Sequence, residues 1–114
     1  MIRVKDLEPT LQFYCGFLGM TETRRKPIGD EATLVFLEDG SGATLELTFN
    51  HGKTDYDLGD QFGHLAFWTD DLERVVADVE QRGWWYRRSR PDMTSRYIFV
   101  KDPNGYDIEI LEKI

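Results

Sequence analysis

The sequence contains one strand–turn–strand segment twice, and this repeat constrains the fold more than any other feature. The later copy is residues 99–110 (FVKDPNGYDIEI) and the earlier copy is residues 36–47 (FLEDGSGATLEL). In the later copy, Pro103 presets the φ angle of a turn, and Gly105 supplies a conformation that costs other residues energy. Further upstream, residues 5–8 (KDLE) align with residues 70–73 (DDLE), and Gly19 and Gly83 close the segments that follow.

Two copies are too few for a solenoid, so the repeat favours one pseudo-symmetric domain over residues 1–114. Its first module is expected at about residues 1–57 and its second at about 58–114. A chain of 114 residues is long enough for one core but not for two independent domains.

Each module is predicted to have the order β-α-β-β-β, which gives an α+β fold. In the first module, strand 2–4 precedes a helix with Asp6 as N-cap and Gly19 after its end. The remaining predicted elements of that module are a polar connection at 21–31, a strand at 33–37 and a strand at 43–49. The repeated order requires three strands after the helix, so one of them has only a weak signal in the first module. Those of the second module are a strand at 63–68, a helix bearing the apolar stripe Leu72, Val75, Val76 and Val79 and ending at Gly83, an edge strand at 84–88, and strands at 97–100 and 106–111.

Strand alternation separates an apolar face from a polar face in both modules. The apolar side chains expected under the helices are Leu45, Leu47, Ile108 and Ile110. The opposite face, expected to line a concave, cup-shaped sheet, carries Thr44, Glu46, Thr48 and Asn50.

Parity places His64, Glu46 and Glu109 on this concave face. Two carboxylates brought together repel each other unless a cation compensates them. A histidine with two carboxylates is a mixed N/O set that suits a first-row divalent ion, and there is no thiolate to favour a structural zinc site. Each residue alone is better explained as a solvated strand residue, but the symmetric glutamate pair together with His64 favours a metal site.

The net charge of −7 disfavours nucleic acid or an anionic membrane as a partner. The sequence shows no membrane-spanning run and no signal-peptide pattern. Its one cysteine, Cys15, is expected to be a buried, inert thiol, which fits a reducing cytoplasm.

The basic residues are clustered at 24–26 and 87–88, with Arg90 and Arg96 nearby. Such runs are typical of solvated loops, although a small anionic ligand held locally is the alternative.

Three segments resemble glyoxalase I (lactoylglutathione lyase) of the short bacterial type, within the vicinal oxygen chelate superfamily. They are residues 63–66 (GHLA), 45–50 (LELTFN) and 102–109 (DPNGYDIE). The last segment marks the superfamily, and ELTFN points to glyoxalase I within it. The resemblance extends over nearly the whole chain, including residues 3–7 and 13–20.

The resemblance implies paired modules and a homodimer whose metal sites lie between modules of different subunits. It implies isomerisation of the methylglyoxal–glutathione hemithioacetal to S-lactoylglutathione, with nickel or cobalt favoured and zinc as a further option. Glu46, His64 and Glu109 match the metal ligands, and Glu109 also matches the base that shuttles the proton. Arg3 and Asn50 match residues that hold glutathione.

Two departures from the family pattern stand out. The family's first ligand is a histidine that would fall just before Met1, so three explanations compete: a chain begun at an internal methionine, a three-ligand site, or a relative that has lost catalysis. The first is favoured, and the chain as given is expected to bind metal more weakly and to have impaired activity. His51 has the wrong strand parity to substitute.

The second departure lies in residues 90–95 (RPDMTS), where the family carries a Lys-Gly stretch that contacts the glycine carboxylate of the substrate. Arg87, Arg88 and Arg90 are the candidates to replace that lysine.

Two other functions from the same superfamily compete. A ring-cleaving dioxygenase uses two histidines and one carboxylate around iron, and Glu46 argues against this. A drug-binding module of the bleomycin-resistance type needs no metal but needs an aromatic groove, for which the candidates are Trp68, Trp84, Trp85 and Tyr86. Metal content distinguishes the three functions: nickel, cobalt or zinc favours the isomerase, iron favours the dioxygenase, and no metal favours the drug-binding module.

Overall fold

The computed structural model describes residues 1–113, which form two compact units. The first unit, Met1–Asp57, contains β1 (Ile2–Val4), α1 (Leu7–Leu11) with a π-helical continuation (Gln12–Phe17), β2 (Thr21–Ile28), β3 (Ala32–Glu38) and β4 (Thr44–Asn50). The second unit, from Leu58 onward, contains β5 (Leu65–Thr69), α2 (Leu72–Gln81), β6 (Tyr86–Arg88), β7 (Tyr97–Lys101) and β8 (Asp107–Glu112). The predicted α+β class and the β-α-β-β-β order of each module are confirmed.

Each unit has its own four-stranded mixed sheet, and the two sheets have the same topology. The strand orders are β1-β4-β3-β2 and β5-β8-β7-β6, and the first pair of each sheet is parallel. The registers also agree: Ile2 lies opposite Leu47, and Phe67 lies opposite Ile110, the residue that the repeat aligns with Leu47. The sequence repeat is therefore a repeat of backbone pairing.

Apolar residues of the strands and of the helices form the core of each unit. The fully buried side chains of the first unit include Val4, Phe13, Tyr14, Val35, Leu37 and Leu47. Those of the second are Leu72, Val79, Ile98, Val100, Ile108 and Ile110. In the second unit the stripe of α2 packs over β8, and the N-cap Asp71 accepts a hydrogen bond of 3.1 Å from the backbone N–H of Arg74.

Both glycines that were expected to end the helices do so. Gly19 and Gly83 follow the C-cap residues and have φ angles of +79° and +73°. This left-handed conformation is accessible to glycine without a Cβ penalty.

Three local predictions were wrong. Residues 21–31 are not a connection, because Thr21–Ile28 form the edge strand β2, whose eight side chains are all exposed. An edge strand with no buried face shows no hydrophobic alternation, so its sequence looks like a loop. His64 lies just before β5 rather than within it, and β6 begins at Tyr86, after both Trp84 and Trp85.

The Cys15 thiol is half-buried rather than buried. Desolvation, followed by the nearby charge of Glu22, raises its pKa. No helix in the described part of the chain has the length and apolar character needed to cross a membrane.

Candidate metal and substrate site

The turn before β8 is held by the carboxylate of Asp102. Asp102 is 5% exposed and accepts hydrogen bonds of 2.9 Å from the backbone N–H groups of both Asn104 and Tyr106. Gly105 completes the turn with a φ angle of +93°. This turn fixes where β8 begins and therefore where Glu109 lies.

Glu109 occupies an inner strand of the second sheet, on the face away from α2. Its neighbours Ile108 and Ile110 are buried, and its cross-strand partners are Ala66 on β5 and Phe99 on β7. The Glu109 side chain is 16% exposed. A carboxylate in this position is only partly solvated and lies on the face that the helix leaves open.

The imidazole of His64 faces Glu109 from the segment before β5. Its Nε2 lies 3.8 Å from Oε2 of Glu109, and its ring packs edge-on against Phe99 with the centroids 5.0 Å apart. The separation is too long for a hydrogen bond. Two ligands that each bind a shared ion at about 2.1 Å can span such a distance, so the pair fits as part of an N/O metal site.

Glu46 is the counterpart of Glu109 in the first unit. It lies on β4 opposite Phe36, and its carboxylate accepts a hydrogen bond of 3.2 Å from Oγ1 of the buried Thr48. Arg3 lies opposite Thr48 on the neighbouring strand β1 and is exposed. Asn50, at the end of β4, donates from Nδ2 to the hydroxyl of Tyr56 at 3.1 Å.

The predicted ligands are thus divided between the units, with Glu46 in the first and His64 and Glu109 in the second. Within residues 1–113, no group of three or more His, Cys, Asp or Glu side chains is arranged to hold a metal ion. His64 and Glu109 are the two predicted ligands that the structure brings together within one unit.

The other histidine, His51, is engaged elsewhere. Its Nε2 lies 2.9 Å from Oγ1 of Thr33, and its Nδ1 lies 2.9 Å from the backbone carbonyl of Asp30. The ring nitrogens therefore join the residue after β4 to β3 and to the β2–β3 turn.

The arginines of the second unit differ in their partners. Arg88 forms a bidentate pair with Glu73 on α2, at 2.9 and 3.0 Å, and Arg90 lies 3.4 Å from Asp92. Arg87 instead lies on the face of Glu109, with its guanidinium carbon 4.9 Å from the ring centroid of Phe99.

Sequence reasoning missed one repeated feature of this face, a cross-strand row of glutamate, phenylalanine and arginine. In the first sheet Glu46, Phe36 and Arg24 are successive cross-strand partners, and in the second sheet Glu109, Phe99 and Arg87 are. Arg24 stacks on Phe36 at 4.5 Å, as Arg87 does on Phe99. The sequence contains a signal for this row, because the arginine, the phenylalanine and the glutamate of the first copy all align with the same residue types in the second copy.

The tryptophans do not form a continuous aromatic groove along a strand. Trp68 on β5 is 65% exposed, and Trp85 is also exposed and lies near the ammonium group of Lys101. Trp84 is half-buried beneath the guanidinium of Arg82. Trp68 borders a shallow apolar cavity of about 350 Å³.

Comparison with known proteins places these features in a family. Residues 1–110 match the family model described as the glyoxalase/bleomycin resistance protein/dioxygenase superfamily. A probable lactoylglutathione lyase of Synechocystis sp. is 41% identical over 98% of this chain and 91% of that protein. The lactoylglutathione lyase of Neisseria meningitidis serogroup A is 38% identical over 99% and 87%, respectively.

The fold similarity extends to solved structures. The trypanothione-dependent glyoxalase I of Leishmania major superposes with a TM-score of 0.84 at 38% identity, covering 98% of this chain and 82% of that one.

Proposed function

Because the chain belongs to the glyoxalase/bleomycin resistance protein/dioxygenase superfamily, we propose that it acts as a lactoylglutathione lyase. The reaction is the metal-dependent isomerisation of the methylglyoxal–glutathione hemithioacetal to S-lactoylglutathione, which removes methylglyoxal. The observation that carries this proposal is the His64–Glu109 pair on the open face of the second sheet, with its repeat-related carboxylate Glu46 on the first sheet.

Glu109 is the proposed base. It removes the proton from the carbon that bears the thioether and returns a proton to the neighbouring carbon, so that hydrogen moves while sulfur stays bound. A carboxylate held beside the reacting carbons can accept a proton from one and return it to the next. Ala66 and Phe99 are the cross-strand neighbours of Glu109 on this face.

Glu46, His64 and Glu109 are the proposed ligands of a divalent metal ion. Their carboxylate oxygens and one imidazole nitrogen suit nickel or cobalt, with zinc as a further option, and His64 must be neutral to bind. When bound, such an ion stabilises negative charge that develops on the substrate oxygens. On the strength of the resemblance to glyoxalase I, we also propose a homodimer whose metal sites lie between modules of different subunits.

Arg3 and Asn50 are the proposed contacts to glutathione in the first unit. The guanidinium of Arg3 offers paired donors to a carboxylate, and the amide of Asn50 offers both a donor and an acceptor. We further propose a cytoplasmic location, where glutathione is abundant in its thiol form.

The test is formation of S-lactoylglutathione from methylglyoxal and glutathione by the purified chain supplied with nickel, cobalt, zinc or iron. Product with nickel or cobalt, lost in Glu109→Gln, is the expected result. Metal bound without any product, both in this chain and in one extended by an N-terminal strand that contains a histidine, would overturn the isomerase assignment. Iron-dependent ring cleavage of catechols instead would identify a dioxygenase.

A further inference from the structure

The two repeat-related carboxylates, Glu46 and Glu109, differ in how their side chains are held. Oε2 of Glu46 accepts a hydrogen bond of 3.2 Å from Oγ1 of Thr48. Among residues 1–113, no group donates a hydrogen bond to the Glu109 carboxylate, since its contact with His64 at 3.8 Å is too long for one. The symmetry of the two backbones is therefore broken at the side chains of the proposed ligands.

The next residue on the same strand face explains the difference. The repeat aligns Thr48 with Leu111, and each lies two residues after its glutamate. Strand alternation places both residues on the face of that glutamate. Thr48 carries a hydroxyl where Leu111 carries only an alkyl chain, so only the first half has a donor at this position.

Burial makes the hydroxyl of Thr48 dependent on the Glu46 carboxylate. Thr48 is 9% exposed, and within the described part of the chain its side chain makes this one hydrogen bond. A buried hydroxyl that loses its partner costs free energy, because water does not replace the bond. The pair therefore restrains the Glu46 side chain, with Oε2 engaged and Oε1 left to other partners.

A restraint of this kind matters at a metal site, because the groups behind the ligands orient them. A carboxylate that is already held by a hydrogen bond loses less side-chain freedom when it binds a cation. Removing the group that holds it weakens the affinity for the metal without removing any ligand.

We propose that Thr48 is a positioning residue that fixes the Glu46 carboxylate for metal binding. This inference rests on the proposed function, in which Glu46 is a ligand of the divalent ion. It gives the two repeat-related carboxylates different duties. Glu46 is the restrained ligand, and Glu109, which no hydroxyl restrains, remains free to exchange a proton.

The experiment compares Thr48→Val, which replaces the hydroxyl with a methyl group, and Thr48→Ser, which keeps a hydroxyl. Calorimetry with nickel alone should show an affinity roughly tenfold lower in Thr48→Val, the smaller loss expected because 3.2 Å is long for a hydroxyl donor. Thr48→Ser should stay within about threefold of the unchanged chain. At saturating nickel the kcat of Thr48→Val should also stay within about threefold, since Glu109 is intact.

Thr10→Val is the control for the loss of a buried hydroxyl outside the site. Thr10 is fully buried in α1, and its hydroxyl donates to the backbone carbonyl of Asp6 at 2.7 Å. Thr10→Val and Thr48→Val should both lower the thermal midpoint, but Thr10→Val should leave the nickel affinity unchanged. Equal nickel affinity in Thr48→Val and the unchanged chain, or an equal loss in Thr10→Val, would overturn the inference.

Product formation and nickel binding together separate this inference from the proposed function. If the chain makes no S-lactoylglutathione but Thr48→Val binds nickel more weakly than Thr48→Ser, the function is wrong and the inference stands. If the chain is active and Glu46→Gln weakens nickel binding while Thr48→Val does not, the inference is wrong and the function stands. Nickel binding that is unchanged in Glu46→Gln would overturn the inference together with the assignment of Glu46 as a ligand.

Discussion

The imidazole of His64 and the carboxylate of Glu109 face each other at 3.8 Å on the face of the second sheet that α2 leaves open. His64 comes from the segment before an edge strand and Glu109 from an inner strand, so the parallel pairing of β5 with β8 brings them together. Because the pair makes no hydrogen bond, both side chains can still turn to other partners, a cation among them.

Replacing the proposed base should remove catalysis without unfolding the protein. For Glu109→Gln we expect kcat to fall by roughly a hundredfold to ten-thousandfold, because the amide cannot accept the proton and is also a weaker metal ligand than the carboxylate. Thioester formation and the thermal midpoint are the measurements. Asp107→Asn is the control, since Asp107 lies on the same strand but pairs with Lys101, and its kcat should hardly change. Equal activity of Glu109→Gln and the unchanged chain would contradict the assignment.

The two histidines should differ in their effect on metal content. We expect His64→Ala to weaken nickel binding at least about tenfold, because an imidazole ligand is lost. His51→Ala should leave nickel binding unchanged, since its ring nitrogens are engaged with Thr33 and Asp30. Titration with nickel, followed by elemental analysis, measures both, and a loss in His51→Ala comparable to that in His64→Ala would refute the ligand assignment.

The ring of Phe99 should act as a positioning group for His64. Phe99→Leu removes the edge-on aromatic contact at 5.0 Å, and such contacts contribute about 0.5–1.5 kcal/mol, so nickel affinity should fall roughly two- to tenfold. Phe36→Leu is the matched control, because Phe36 occupies the same position in the first sheet but is not stacked with an imidazole there. Identical nickel affinity in the two variants would show that the contact does not orient His64.

The repeat allowed most of the architecture to be predicted from sequence, because an element that is clear in one copy indicates the same element at the aligned position of the other copy. The order of elements along the chain, the helix ends and the separation of Ile108 and Ile110 from Glu109 follow from periodicity and glycine positions. The edge strand β2 could not be found this way, since none of its side chains is buried and its polar sequence carries no alternation.

The site was predicted less completely than the fold. Parity separated Glu46 and Glu109 from the apolar face of their strands, but it also assumed that His64 lies within a strand, whereas the residue precedes β5. Side-chain pairing decides which arginine faces the site: Arg88 is held by Glu73, while Arg87 stacks on Phe99. No one-dimensional pattern distinguishes two adjacent arginines until the register of the strand is known.

The ion pairs of Glu73 predict a pH dependence of stability. The hydrogen bond from Arg88, together with the charges of Arg88 and Arg96, holds the pKa of Glu73 below its usual value in the folded state. A lowered folded pKa means that the unfolded chain binds more protons in the acidic range. The stabilisation is therefore complete above the unfolded pKa of a glutamate and is lost as the pH falls through the folded value.

Thermal midpoints of the unchanged chain and Glu73→Gln should accordingly differ at neutral pH and converge in acid. The difference should be small, because the pair is exposed. A difference that stays constant from neutral to strongly acidic pH would show that the carboxylate charge is not its cause.

The two repeated turns should differ in their importance for stability, although both contain an aspartate at the same position. Asp102 is buried and accepts backbone hydrogen bonds from Asn104 and Tyr106, so Asp102→Ala leaves those donors without their partner. We expect the free energy of unfolding to fall by about 2 kcal/mol or more. Asp39 accepts hydrogen bonds from the backbone N–H and the hydroxyl of Ser41, but it is exposed.

Water can replace the lost acceptor at Asp39, so Asp39→Ala should be clearly less destabilising than Asp102→Ala. Urea denaturation of the two variants measures the difference directly. Equal losses would mean that burial of the carboxylate does not decide the strength of these turns. If Asp102→Ala is the less stable of the two variants, as expected, its nickel binding near the unfolding transition should also decline, because the turn after β7 sets the position of β8 and of the proposed ligand Glu109.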